Sequence, residues 1–158
     1  SIKEDGCEKI IKDIFEISKK HSCILTCPED VMVGKTIEDK SKIKELNQIT
    51  NDDLILDIGP KTINKIKDII EKSQTVLWNG PAGYFENPNF AIGSYEIAKK
   101  IIKKNKSKSI YSVVGGGDTI AVINQIRGIN DFNFVSTAGG AFLEYLEGKE
   151  LPGIKALK

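Results

Sequence analysis

Apolar residues recur at helical spacing in several stretches of this chain, and short uninterrupted apolar runs lie between them. Ile10, Ile11, Ile14, Phe15 and Ile17 share one helical face and predict a helix over 6–20. Residues 22–27 read as a short apolar strand stopped by Pro28, and Val31-Met32-Val33 as a second one. Residues 35–53 are charged and weakly periodic, which predicts mostly surface connection. Residues 54–58 read as a buried strand. Gly59-Pro60 then opens a helix with Pro at or near its first position and Ile63, Ile66, Ile69 and Ile70 on its apolar face. A strand at 75–78 leads into a long loop, 79–90, and a helix over 93–104 carries Ile97, Ala98, Ile101 and Ile102. The remainder reads as strand 109–114, a glycine loop, helix 118–126, strand 132–136 and a last helix near 140–147, with Gly148 as its stop.

Strands alternating with helices, most of them apolar on both faces, predict an α/β fold. The expected form is a three-layer α/β/α arrangement around a mostly parallel, Rossmann-like sheet covered on both sides. In such sheets ligands sit beyond the carboxyl ends of the strands. The three chemically richest loops, 79–90, 115–119 and 137–141, all follow strands and are expected on one sheet edge.

The 158 residues suffice for one domain with a real core. A net charge of +1 predicts neither a nucleic-acid nor a membrane partner. No apolar run approaches the roughly 20 residues that span a bilayer. The three cysteines, Cys7, Cys23 and Cys27, form no Cys-x-x-Cys pair, and buried reduced thiols of a cytoplasmic protein are expected. His21 has no ligand-spaced partners and is expected to be solvated at a helix end. Lys99, Lys100, Lys103, Lys104, Lys106 and Lys108 form a basic run without interleaved aromatics, which predicts a solvated helix C-terminus. The only arginine is Arg127, so the chain is poor in bidentate anion clamps. It begins at Ser1 without an initiator Met, and a piece of something longer is expected.

The candidate chemistry centres on Ser112-Val113-Val114-Gly115-Gly116-Gly117-Asp118-Thr119. A β-branched run ends in three glycines, and a helix with an acid and a hydroxyl in its first turn follows. Glycines admit a ligand close to the backbone, and a helix start offers unpaired N–H groups that suit a phosphate. Asp118 adds a carboxylate where Mg²⁺ can bridge it to that phosphate. A plain N-capped strand-to-helix turn explains the same octapeptide equally well. Thr137-Ala138-Gly139-Gly140-Ala141 is a second glycine turn into a helix, whose amides can face charge on a transferring group. In the long loop, Asn79 can bond a polyphosphate, Pro81 and Tyr84 can pack on a base, and Glu86 can accept from ribose hydroxyls; a structured Gly/Pro loop is the bland alternative. Gly34-Lys35-Thr36 is not a Walker A site, because Glu29 stands where its first glycine belongs. The triple glycine also fails the dinucleotide fingerprint, since Ile120 stands at the required third glycine.

Five motifs in order, Asp57-Ile58-Gly59-Pro60-Lys61-Thr62, Trp78-Asn79-Gly80-Pro81, Gly115-Gly116-Gly117-Asp118-Thr119, Ser136-Thr137-Ala138-Gly139-Gly140-Ala141 and Glu147-Gly148-Lys149-Glu150-Leu151-Pro152-Gly153, closely resemble the C-terminal, nucleotide-binding part of the phosphoglycerate kinase family. The resemblance covers nearly the whole of residues 1–158 as one domain truncated at its N-terminal side. It implies phosphoryl transfer between 1,3-bisphosphoglycerate and Mg-ADP, giving 3-phosphoglycerate and ATP, in the cytoplasm and by a monomeric full-length enzyme. It implies that Asn79, Pro81, Tyr84, Glu86, Gly115, Gly116, Gly117, Asp118 and Thr119 bind nucleotide. Asp118 would hold Mg²⁺, and Gly116, Gly139 and Gly140 would serve the transferring group. The family's Gly-Gly-Ala-Lys-Val stretch and its N-terminal domain have no counterpart in the chain, so no turnover is expected from it alone. Ala138 replaces a usual third glycine, which would stiffen that turn, and Ile55 a glycine near the adenine, which would narrow the base pocket. A non-catalytic nucleotide-binding module and an NAD-dependent oxidoreductase are the alternatives.

Overall fold

The structure is a computed structural model that describes residues 6–157. In chain order its elements are α1 (Cys7–Lys20), β1 (Asp30–Gly34), β2 (Lys42–Glu45), β3 (Leu54–Ile58), α2 (Pro60–Lys72) and β4 (Thr75–Asn79). There follow α3 (Ile92–Lys106), β5 (Tyr111–Gly115), α4 (Gly117–Gln125), β6 (Phe134–Ser136), α5 (Gly140–Leu146) and α6 (Pro152–Lys155). The fold is α/β. Strands β4, β5 and β6 form a parallel sheet in that order, flanked by helices, as in a truncated Rossmann-like fold. A second, antiparallel sheet has the order β2-β1-β3.

One apolar cluster joins the two sheets. Met32 and Ile58 come from the antiparallel sheet, Trp78 and Val114 from the parallel one, and Ile63, Ile97, Ala98, Ile101, Val122 and Ile123 from α2, α3 and α4. The periodicities of α2 and α3 place most of their apolar stripe there, although Ile69 is turned to solvent. Polar side chains seal the helix ends. The buried Asp30 carboxylate accepts from the Lys61 and Thr62 amides and caps α2 at its start. At the other end, the ammonium of Lys104 donates to the carbonyls of Ile70, Glu71 and Ser73, where a helix dipole favours a cation.

Several expectations are corrected. Residues 22–27 form no strand: Ile24 is 88% exposed, and the segment has no ladder partner among the described residues. The stretch 35–53, expected to be mostly connection, contains β2, because Lys42 and Lys44 pair with Val33 and Val31 across an antiparallel ladder. Its four residues are too few and too charged to announce a strand. Only the second half of β3 is buried. The parallel sheet is open on one side, where the register aligns Leu77, Val113 and Phe134, with Leu77 and Phe134 near half exposed. Cys23 and Cys27 are exposed rather than buried, and Cys7 is intermediate. Lys104 is buried, so the basic run is not simply a solvated helix end; Lys100 and Lys106 pair with Glu71 and Asp131. His21 sits at the exposed C-cap of α1, as expected.

Candidate nucleotide site

The parallel register places Asn79 beside Gly115 and Gly115 beside Ser136, so β4, β5 and β6 end in one row. The loops that carry the candidate residues all leave from this row. Apolar strands that pair in parallel and end level bring together chemistry that lies dozens of residues apart in sequence.

The middle loop is the tightest. Gly116 has φ +90 and caps α4, a conformation that a side chain rarely tolerates. Gly115 has a packing reason as well: a Cβ there would meet the Phe142 ring at 2.9 Å and the Asn79 side-chain oxygen, Oδ1, at 3.2 Å. Gly117 and Gly140 face open space, as does Gly139, whose φ is +54. Ala138 is not at positive φ, so the turn accepts it without strain there.

Asp118 lies in the first turn of α4, exposed, with no hydrogen bond or ion pair among the described residues. Thr119 is fully buried, and its hydroxyl accepts from the Gly80 amide at 2.7 Å. This ties the loop after β4 to the start of α4. Asn79 is exposed at the end of β4, with its side-chain oxygen against Gly115 and Gly116. No group of three or more His, Cys, Asp or Glu among the described residues forms a metal cage. A lone carboxylate can hold a hard cation only where the cation also takes phosphate oxygens and water.

Pro81 and Tyr84 line a cavity of about 430 Å³ against Val31, Ile55, Leu56 and Asp57. The Tyr84 amide donates to the Leu56 carbonyl at 2.7 Å, and the Trp78 indole donates to the Gly80 carbonyl at 2.8 Å, so the loop is stitched on both sides. Glu86 is exposed and is not among the lining residues of this cavity. The β3 wall, Leu56 and Asp57, was not singled out from the sequence as site residues, although Ile55 was placed near a base. Asp57 is 2% exposed, and burial pushes its carboxyl up to about 6 against the backbone N–H groups of Gly93, Ile58 and Ile92. The signal in the sequence is an acid at the end of an apolar run just before Gly-Pro.

Comparison with known proteins shows the family. The family model described as phosphoglycerate kinase matches residues 1–149. Phosphoglycerate kinase of Zymomonas mobilis is 41% identical over 160 residues, covering 100% of this chain and 40% of that protein. The Caulobacter vibrioides enzyme is 43% identical over 158 residues, covering 96% and 40%. Among solved structures, phosphoglycerate kinase from Coxiella burnetii superposes with a TM-score of 0.89 at 36% identity, over 98% of this chain and 40% of that one. The Pyrococcus horikoshii enzyme gives 0.70 at 31%, over 99% and 40%. The chain thus spans about 40% of the length of the curated relatives it matches. No helix among the described residues is long and apolar enough to cross a membrane. On a family model that covers nearly all of it, the chain belongs to the phosphoglycerate kinase family.

Proposed function

We propose that this chain supplies the nucleotide half-site of a phosphoglycerate kinase. It would work in phosphoryl transfer between 1,3-bisphosphoglycerate and ADP in cytoplasmic glycolysis. The carrying observation is the level row Asn79–Gly115–Ser136, which sets two glycine turns and Asp118 at one edge of the parallel sheet, where the loop that follows Asn79 goes on to line a cavity with Pro81 and Tyr84. Pro81, Tyr84, Ile55 and Leu56 hold the nucleoside, and Glu86 stands at the rim for the ribose. Asn79 and the amides of the 115–119 loop hold the phosphates, with Thr119 setting the loop. Asp118 would hold Mg²⁺, which would supply positive charge to the phosphate oxygens. The open turn at Gly139 and Gly140, with Gly116, faces the transferring group. Such transfer needs positioning and charge stabilisation more than covalent chemistry, which suits a site built mostly of backbone.

Because the chain spans 40% of its relatives, the acyl-phosphate partner belongs to the rest of the enzyme, and the chain alone turns over no substrate. Titration calorimetry with ADP and Mg²⁺ tests the site. Binding is expected, and Asp118→Ala is expected to lower the Mg-ADP affinity about tenfold while leaving metal-free ADP unchanged. An unchanged Mg-ADP affinity would remove Asp118 from the metal. Near-normal turnover of the purified chain in a coupled ATP assay would overturn the half-site reading.

A further inference from the structure

Asp57 is the one charged residue among those that line the cavity between β3 and the loop after β4. Its carboxylate accepts from the Ile58 amide on β3 and from the Gly93 amide in the first turn of α3, each at 2.8 Å. Glycines close on it from two elements. A Cβ at Gly83 would lie 2.5 Å from its Oδ1, and one at Gly93 would lie 2.4 Å from the same atom. Beside it the Tyr84 amide bonds the Leu56 carbonyl. One carboxylate therefore bonds a strand and a helix start and abuts, at Gly83, the loop that forms the opposite cavity wall.

We propose that Asp57 is a positioning residue: it fixes the spacing between the β3 wall and the Pro81–Tyr84 wall, and it takes up a proton when a nucleoside fills the cavity. The proposal rests on the nucleoside reading of that cavity. Burial outweighs three backbone N–H groups at this carboxyl, so its proton is held to about pH 6 in the empty cavity. No ionised side chain balances the charge. On β1, Asp30 is turned to the amides of Lys61 and Thr62. On α3, Glu96 is paired with Lys67 and Lys99. In the loop, Glu86 is exposed and Tyr84 brings a phenol; on α3, the Tyr95 hydroxyl donates to Gln125. A planar ligand replaces the water of the cavity that Asp57 borders with apolar surface, close to a carboxylate that is itself only 2% exposed. Desolvation then grows, and the carboxylate takes one proton from the buffer to become the acid. No other bond changes. The ligand consequently binds more tightly as pH falls through this range.

The single tryptophan reports on the loop, because the Trp78 indole donates to the Gly80 carbonyl. The unliganded chain is expected to show a fluorescence transition with a midpoint near pH 6, absent in Asp57→Asn. Gly83→Ala, whose added methyl presses on the carboxylate, is expected to move that midpoint; it serves if the first variant does not fold by far-UV dichroism. A transition that persists in Asp57→Asn, or that the wild-type chain lacks, overturns the positioning role. Adenosine, which carries no phosphate to titrate, tests the proton. Calorimetry in buffers of different ionisation heat should show proton uptake near neutral pH. Affinity should rise about threefold or more between roughly pH 7.5 and 5.5, with neither effect in Asp57→Asn. Adenosine binding without proton uptake overturns the proton step and leaves the nucleoside reading standing. No adenosine binding overturns the nucleoside reading, and the fluorescence midpoint still decides the role of Asp57 in holding the loop.

Discussion

At the scale of single residues, acids at helix starts illustrate how burial and hydrogen bonding compete. Asp30 accepts from the Lys61 and Thr62 amides and a hydroxyl, and these lower its carboxyl although burial works against them. Asp57 has the same kind of partners but less of them, and burial wins. The consequence for stability has a definite sign. A carboxyl that titrates near 6 in the fold and near 3.8 in the open chain binds its proton more tightly when folded. Its contribution is fully present below about pH 4 and is lost as pH rises through about 6. About two pKa units correspond to about 3 kcal/mol. Urea midpoints of the wild type and of Asp57→Asn, each taken at about pH 5 and about pH 7.5, measure it. The wild type should lose more stability than the variant over that rise. Equal pH dependence in the two proteins would show that Asp57 does not titrate in the window. Asp30, Glu71 and Glu96 act with the opposite sign, losing their contribution as pH falls through their lowered values.

At the scale of elements, most helices were legible because apolar spacing and cap chemistry agree. Pro60 stands at N1 of α2, and Gly148 follows α5 at φ +82. The glycine loop was legible too, since three glycines between a β-branched run and an apolar helix leave few other conformations. What the sequence concealed depends on partners. Residues 22–27 have the composition of a strand, but a strand exists only with a ladder beside it, and none of the described strands pairs with them. Lys42–Glu45 has little of that composition and is a strand because β1 offers its edge. The Thr119 hydroxyl, which reads as a phosphate ligand, also accepts from the Gly80 amide and keeps its own O–H to donate. That bond sets how the loop after β4 meets α4. Thr119→Val keeps the shape and leaves the amide unsatisfied, a cost of about 1–3 kcal/mol. The variant should unfold at correspondingly lower urea and show altered Trp78 fluorescence at neutral pH, because the same peptide region carries the indole bond. Wild-type stability with wild-type fluorescence would mean that the loop is held elsewhere.

At the scale of the whole molecule, two apolar surfaces stand uncovered among the described residues. On the parallel sheet these are Leu77, Tyr111 and Phe134, at 45%, 52% and 50% exposure. On α1, the amphipathic face Ile10, Ile11, Ile14, Phe15 and Ile17 is open, from 46% to 59%. Magnitudes decide what this does in solution. A large apolar side chain gains about 1.5–3 kcal/mol on full burial, so half-buried ones have about half of that left to gain. The sheet face then offers roughly 3 kcal/mol and α1 roughly 5 kcal/mol. Association costs about 4–15 kcal/mol in lost freedom, so neither surface alone makes a tight dimer. Together they leave at most about 4 kcal/mol after that cost, which supports weak self-association only at roughly 1 mM and above rather than at nanomolar concentration. Sedimentation velocity over that range is expected to show a concentration-dependent rise in mass. Phe134→Lys, with a charge set in the middle of the sheet face, should suppress it without touching the cavity lined by Pro81 and Tyr84. A chain that stays monomeric well above about 1 mM would show that these surfaces are hydrated at no net cost, and would sink the estimate of their remaining burial.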